Sequence, residues 1–89
     1  MKAKEIINLA YKGRRNIMTP KVLGYGKISE TLAYEISQGT GLNHEVIYGV
    51  TFVRLNKDGS VVPEYDLSKM CWSKKEVKKY IQDVRRSQC

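Results

Sequence analysis

The stretch VIYGVTFVRL, residues 46–55, carries the strongest strand pattern in this 89-residue chain. β-Branched and aromatic residues dominate it, and such side chains fit the pleated surface of a sheet. Apolar residues occupy both of its faces, whereas a strand with one solvated face alternates apolar and polar positions. We therefore expect residues 46–55 to form a central strand that is covered on both sides.

The residues before this strand predict two more strands. KVLGYGKI, residues 21–28, is a glycine-containing strand pattern, and TLAYEIS, residues 31–37, alternates apolar and polar side chains. A tight turn near Ser29 and Glu30 would join them. SQGTGLNH, residues 37–44, then predicts a flexible, glycine-containing connection to the central strand.

The residues after the central strand predict a hairpin. In NKDG, residues 56–59, Asp58 and Gly59 both tolerate the positive φ angles of tight turns. The returning strand, residues 61–67, contains Pro63. Since proline cannot donate a hydrogen bond to a neighbouring strand, we expect this strand at an edge of the sheet.

An amphipathic helix is predicted before the sheet. Apolar residues recur at the spacing i, i+3, i+4, i+7 and i+8, which places them on one helix face. These residues are Ala3, Ile6, Ile7, Ala10 and Tyr11. Gly13 is placed to cap the helix, which we expect to span about residues 3–12.

A second helix is predicted from SKKEVKKYIQDVRR, residues 73–86. Ser73 and Glu76 have the spacing of a capping box, in which Glu76 reaches back to the backbone of Ser73. Trp72 can pack on Val77 as a hydrophobic staple. The apolar stripe of this helix consists of Val77, Tyr80, Ile81 and Val84.

The order of these elements predicts an α+β fold. We expect a two-layer sandwich with an N-terminal helix, a three- to four-stranded antiparallel sheet at about residues 21–67, and a C-terminal helix at about residues 73–86. A chain of 89 residues is long enough for one core only. We therefore expect residues 1–89 to form a single small domain.

The net charge of +7 is distributed unevenly along the chain. Residues 1–27 have a balance of +6 and residues 72–89 a balance of +4, whereas residues 28–71 have a balance of −3. Basic ends around a mildly acidic middle indicate an anionic partner, most simply the backbone of a nucleic acid, DNA or RNA.

The basic residues of the predicted C-terminal helix fall into two adjacent rows at about 100° per residue. The first row consists of Lys74, Lys78 and Arg85, and the second row of Lys75, Lys79 and Arg86. Lysines in the first helical turn oppose the helix dipole, and a bound phosphate there would offset that cost. Two interpretations remain open: a phosphate-binding surface, or the solvated face of an ordinary helix.

For the phosphate-binding interpretation, contacts are expected from this helix and from the basic loop KGRR, residues 12–15. Such contacts position a nucleic acid without reading its sequence. The predicted contact residues are Lys74, Lys75, Lys78, Arg14, Arg15 and Arg85. The protein would then be a small, non-catalytic basic binding protein.

A protein-binding inhibitor or adaptor is the competing hypothesis. The same basic helix would occupy an acidic protein surface, or the nucleic-acid groove of a host nucleic-acid-handling or defence complex, as an anti-CRISPR protein does. Trp72 and Tyr80 would act as aromatic anchors if they are exposed. A homodimer through an edge strand is a further partner hypothesis.

No catalytic, cofactor-binding or metal-binding signature is present, so we do not expect an enzyme. His44 has no cysteine or serine partner at an interpretable spacing, and Cys71 and Cys89 with one histidine are too few for a zinc set. No apolar run approaches the about 18–20 residues that span a bilayer, and the N-terminus lacks the apolar block of a signal peptide. We expect no membrane contact and a cytoplasmic location.

The lysine cluster and one loop carry a local resemblance. SKKEVKK, residues 73–79, and GLNH, residues 41–44, are similar to the start of the second helix and to the minor-groove loop of the double-stranded RNA-binding domain. Tyr80 and Ile81 depart from that family, which has small alanines there. The resemblance implies contact with a nucleic acid backbone.

Four motifs carry a broader resemblance, which covers residues 34–81. They are YEISQGTGL, YGVTFV, YDLS and SKKEVKKYI, in this order and spacing. They resemble short uncharacterised accessory proteins of phages and plasmids in Gram-positive bacteria. The resemblance implies a mobile-element setting, in which small proteins commonly bind nucleic acid or block a host defence protein, and it implies no catalytic residue.

Overall fold

The computed structural model describes residues 2–11 and 21–88, and this part of the chain forms two helices and five strands. The elements are α1 (Ala3–Tyr11), β1 (Lys21–Ser29), β2 (Leu32–Thr40), β3 (Val46–Leu55), β4 (Val61–Pro63), β5 (Lys69–Cys71) and α2 (Lys74–Gln88). The predicted α+β class, with one helix before and one after an antiparallel sheet, is confirmed. The predicted cap at Gly13, the basic loop with Arg14 and Arg15, and Cys89 lie outside the described residues.

β3 is the central strand, as the pattern of residues 46–55 predicts. β2 pairs with it along one side, from Leu32 opposite Arg54 to Thr40 opposite Val46. β4 and β5 pair with the two halves of its other side, and β1 pairs with the free side of β2. All of these pairings are antiparallel, so the sheet is a meander whose fourth strand is interrupted.

The two helices cover opposite faces of the sheet. On one face, Ile6 and Ile7 of α1 pack against Ala33 and Val53. The core of the other face consists of Leu32, Val50, Phe52, Cys71, Val77, Ile81 and Val84. Because successive side chains of a strand point to opposite faces, β3 contributes to both cores. The sheet is therefore the middle of three layers, which refines the expected two-layer sandwich and explains why β3 is apolar on both sides.

Gly59 and Asp58 stabilise the hairpin between β3 and β4 in different ways. Gly59 adopts a positive φ of 89°, whereas Asp58 does not, so the expectation of positive φ holds for the glycine alone. Asp58 acts through its carboxylate, which accepts hydrogen bonds from the backbone N–H of Ser60 at 2.9 Å and from its hydroxyl at 2.6 Å. These two hydrogen bonds lower the pKa of Asp58 because they stabilise the ionised form.

The connection between β2 and β3 is tighter than the sequence indicates. β2 continues to Thr40, and only residues 41–45 form the loop. Gly41 N–H donates to the Glu45 carbonyl at 2.8 Å, and the Glu45 carboxylate accepts from Asn43 N–H at 2.9 Å. His44 adopts a positive φ of 64° in this turn and is exposed.

The returning chain leaves the sheet after Pro63, so the single strand predicted over residues 61–67 is wrong in its second half. Leu67 and Ser68 N–H groups donate to the Glu64 carbonyl, which turns the chain outward. The Ser68 hydroxyl oxygen accepts a hydrogen bond from Phe52 N–H at 3.3 Å, where a continuous strand would have supplied a carbonyl. The predicted edge position is confirmed, and β5 extends that edge to Cys71.

Candidate functional site

The start of α2 is held by a capping box that differs in one bond from the predicted one. Glu76 N–H donates to the Ser73 hydroxyl oxygen at 3.1 Å, as expected of an N-cap serine. The Glu76 carboxylate accepts from Trp72 N–H at 3.0 Å, one residue earlier than the predicted Ser73 backbone. Trp72 is 63% exposed and belongs to neither buried cluster. Most of its side chain therefore faces solvent and is not packed on Val77 as predicted.

The cap supplies the N-terminal end of α2 with a negative charge of its own. The Glu76 carboxylate already places a negative charge against the N-terminal end of α2, where the helix dipole favours one. This negative charge compensates the helix dipole at the same end as Lys74 and Lys75, so their position requires no bound anion. The start of α2 by itself therefore gives no indication of a bound phosphate.

The two basic rows of α2 face different surroundings. The buried residues Val77, Ile81 and Val84 define the inward side of the helix. At about 100° per residue, the first row, Lys74, Lys78 and Arg85, borders this inward side, whereas the second row, Lys75, Lys79 and Arg86, lies opposite it. All six side chains are exposed. The second row is thus a solvated outer face, and only the first row adjoins the sheet.

A groove lies between the first row and the start of β1. We call it the α2–β1 groove; its volume is about 320 Å³, and it is lined by Leu23, Ile36, Tyr48, Lys74, Val77 and Lys78. The floor is apolar and aromatic, and two lysines supply the charge at its helix side. This volume lies near the lower end of the range for ligand pockets, about 300–1,000 Å³.

The two ends of α2 lie near opposite edges of the sheet. Two residues separate β5 from the start of α2, which lies at one edge of the sheet, with Val77 packed in the same cluster as Cys71. Towards its other end, the Arg85 guanidinium donates to the Lys27 carbonyl of β1, the opposite edge strand, at 3.5 Å. Among the described residues, none covers the wedge of the sheet beside the first half of α2, and the contact of Arg85 with β1 lies at the closed end of this wedge.

A β-bulge supplies one wall of the groove. The register of β1 against β2 shifts between Val22, which is opposite Ser37, and Gly24, which is opposite Ile36, so Leu23 is the extra residue. Bulges re-aim side chains next to sites, and this one turns Leu23 towards Ile36 in the groove. Leu23 is 38% exposed, although most apolar residues of its size in the sheet are covered.

Lys21 of β1 stands on the same side of the sheet as the groove. Lys21 is opposite Gln38, which is opposite Tyr48 of the groove floor, so the three residues form one row across β1, β2 and β3. Strands are about 4.8 Å apart, which puts Lys21 about 10 Å from Tyr48 along this row. Lys21 is exposed. It adds positive charge at the open side of the wedge.

The two predicted aromatic anchors have different environments. Trp72 is exposed at the end of β5 and is available to a partner. Tyr80 is half-buried: its ring packs edge-on against Phe52 with centroids 6.2 Å apart, and its hydroxyl donates to the Leu67 carbonyl. The Lys69 ammonium stands 4.9 Å from the Tyr80 ring centroid on the remaining side. Tyr80 therefore connects α2 to the segment between β4 and β5. Its side chain is not available as an anchor for a partner.

Of the predicted contact residues, the structure brings Lys74, Lys78 and Arg85 together along one side of α2, and it separates Lys75 from them. Arg14 and Arg15 lie outside the described residues. Leu23, Ile36 and Tyr48 were missed as groove residues. One signal was present for Leu23: the pair Val22–Leu23 breaks the strand alternation directly before Gly24, which is typical of a bulge.

Other reactive groups of the described residues do not form a site. Within residues 2–11 and 21–88, no three His, Cys, Asp or Glu side chains are close enough together to hold a metal ion. The Cys71 thiol is fully buried, and burial, followed by the nearby Glu76 charge, raises its pKa. Neither described helix has the length and apolar character needed to cross a membrane.

Comparisons of the chain with protein-family models, with curated proteins and with solved structures found no match.

Proposed function

We propose that this protein is a non-catalytic binder of nucleic acid backbone and that the α2–β1 groove is its contact surface. The observation that carries the proposal is the position of Lys74 and Lys78 beside a concave surface, not on the outer side of α2. Charges around a concave, low-dielectric wall focus their field into the same space. A polyanion that follows the groove therefore interacts with both lysines at once.

The charges of the first row are available to a ligand. Among the described residues, the ion pairs join Lys27 to Glu30 and Arg54 to Glu64, and no carboxylate pairs with Lys74 or Lys78. An ordinary solvated helix would be expected to form the i, i+4 ion pair between Lys79 and Asp83. This pair is also absent from the ion pairs of the described residues. Lysines without a carboxylate partner are free to neutralise phosphates, which releases the cations condensed on the nucleic acid.

The mechanism that we propose is positioning without sequence recognition. The Lys74 and Lys78 ammonium groups each neutralise one phosphate, and Arg85 has guanidinium N–H donors beyond the one that reaches the Lys27 carbonyl. Phosphate contacts of this kind fix the course of the backbone and carry no base information. Affinity should then depend on salt and on strand length, and little on sequence.

Binding of fluorescein-labelled oligonucleotides at increasing salt tests the proposal. For the wild-type protein, log Kd should rise linearly with log[salt]. The double variant Lys74→Gln/Lys78→Gln should lower the slope by about 1.4 on a single strand, or about 1.8 on a duplex, since each lost phosphate contact removes about 0.7 or 0.9. Glutamine keeps the helix propensity of lysine, so α2 should remain folded.

The second row supplies the matched control. Lys75→Gln/Lys79→Gln removes the same charge from the same helix but from its outer face, and it should leave most of the slope in place. Equal losses from the two double variants would show that the helix acts only by net charge and would reject the groove. Binding that does not change with salt, or no binding at about 50 mM salt, would reject the function.

A second candidate function rests on a different surface, the β5 edge. Met70 and Trp72, two residues apart at this edge, are 61% and 63% exposed. Exposed tryptophan and methionine are enriched at protein interfaces, and such a surface fits the inhibitor or adaptor hypothesis, with a protein as partner. In nuclease-treated host lysate, a stoichiometric protein partner that is lost with Trp72→Ala and kept with Lys74→Gln/Lys78→Gln would support this candidate.

A further inference from the structure

We infer that the α2–β1 groove takes single-stranded nucleic acid, with one base lying on its apolar floor while the neighbouring phosphates contact Lys74 and Lys78. The inference rests on the proposed function and narrows its substrate class. It is drawn from the composition of the groove, in which a phosphate-binding side and a base-sized apolar floor adjoin each other.

The floor is the feature that a backbone-only contact leaves unexplained. Leu23, Ile36 and Tyr48 give the groove an apolar lining that phosphates and sugars cannot use. In a duplex, the base faces are stacked inside a convex cylinder, so a duplex on the first row would leave this floor hydrated. In a single strand the bases are free to turn towards the protein, and every base has an apolar face that stacks on aromatic side chains.

The spacing of the lysines fits the same geometry. Lys74 and Lys78 are one helical turn apart, which is about 6 Å along α2. This separation is comparable with that of neighbouring phosphates in an extended single strand. Two successive phosphates on the lysines bracket one nucleotide, whose base reaches down between α2 and β1 to the side of Tyr48.

The two ends of the wedge set the course of the strand. Arg85 joins α2 to the Lys27 carbonyl and closes the groove at one end. Lys21 lies on the other side of the groove, on the row that contains Tyr48. A strand can therefore enter beside Lys21, place a base on the floor and leave over the first row, a path of a few nucleotides.

Four probes of equal length test this inference on the unmodified protein: oligo(dT), oligo(U), an abasic deoxyribose-phosphate strand, and a blunt DNA duplex. At equal salt, oligo(dT) or oligo(U) should bind about tenfold more tightly than the abasic strand, because stacking of one base on an aromatic side chain is worth about 1–3 kcal/mol. Comparison of oligo(dT) with oligo(U) distinguishes DNA from RNA. Tighter binding of either one than of the abasic strand supports the inference.

A pair of protein variants locates the base. Tyr48→Leu keeps an apolar side chain in the floor and removes the aromatic plane. It should reduce the preference for oligo(dT) or oligo(U) over the abasic strand several-fold. Tyr65→Leu is the matched control, since Tyr65 is 74% exposed and lies away from the groove. It should change neither affinity.

The outcomes separate this inference from the proposed function. Equal affinities for the abasic strand, the duplex and the base-bearing strands, still weakened by Lys74→Gln/Lys78→Gln, would overturn the single-strand inference and keep the backbone-binding function. A preference for the duplex would do the same. Failure of every probe to bind at about 50 mM salt would overturn both.

Discussion

At the scale of single residues, side-chain hydrogen bonds to the backbone hold the turns and the helix start of this protein. Asp58 accepts two hydrogen bonds from Ser60 in the β3–β4 hairpin, and Ser73 caps α2. Ser68 takes the place of a missing strand partner for Phe52. The sequence predicts the Ser73 cap, because it depends on Glu76 three residues later. It predicts the turn at residues 56–59 but not the hydrogen bonds of Asp58. It does not predict the contact of Ser68 with Phe52, because these two residues are 16 residues apart.

The Asp58 hydrogen bonds predict a pH-dependent contribution to stability. Because folding lowers the pKa of this carboxyl, its contribution is fully present above the pKa of the unfolded chain, about 3.9, and is lost as the pH falls through the lower folded value. Asp58→Ala should therefore lower the melting temperature at pH 6 more than at pH 2.5.

Thermal unfolding followed by circular dichroism at several pH values measures this difference. The control is Asp66→Ala, since Asp66 is exposed and makes no side-chain hydrogen bond with the described residues. An Asp58→Ala effect that stays constant down to pH 2.5 would show that the carboxylate charge does not contribute to the turn.

Burial of Cys71 predicts an unreactive thiol. The side chain is fully buried in the core beneath α2, and its raised pKa keeps it protonated at neutral pH. In a Cys89→Ser variant, in which Cys71 is the remaining cysteine, an aromatic disulfide reagent at pH 7.5 should react slowly with native protein and rapidly in urea. Rapid reaction of the native protein would contradict the buried position.

At the scale of elements, α2 is the part that the sequence predicts most fully. Its start after Ser73 and its stripe of Val77, Ile81 and Val84 follow from local chemistry and helix periodicity. The groove beside it could not be predicted in the same way. Its floor combines β1, β2 and β3 and depends on the bulge at Leu23 and on the angle at which α2 crosses the sheet.

The α2 cap predicts a measurable loss on substitution. Ser73→Ala removes the oxygen that accepts from Glu76 N–H and should destabilise the protein by about 1 kcal/mol in urea unfolding. Ser73→Asn should remain within a few tenths of a kcal/mol of wild type, since asparagine caps about as well as serine. Equal losses from both variants would indicate that the residue acts by packing and not as a cap.

At the scale of the whole molecule, a three-layer arrangement separates the two basic surfaces of α2. In the described part of the chain, α1 packs on one face of the sheet and α2 on the other, and the wedge that α2 leaves beside it adjoins the first row and not the second. The apolar pattern of β3 predicted coverage on both sides. The positions of the helices relative to the strands could not be predicted from the sequence, because they depend on contacts between residues that are far apart in the chain.

The most direct test of the central claim is the ¹H–¹⁵N spectrum of the labelled protein during titration with oligo(dT) at low salt. If the α2–β1 groove binds the strand, Met70 and Trp72 should change little. The largest amide shift changes should occur at Leu23, Ile36, Tyr48 and Val77, together with Lys74 and Lys78. Changes concentrated at the β5 edge, or confined to the second row of α2 with the groove unaffected, would contradict this claim.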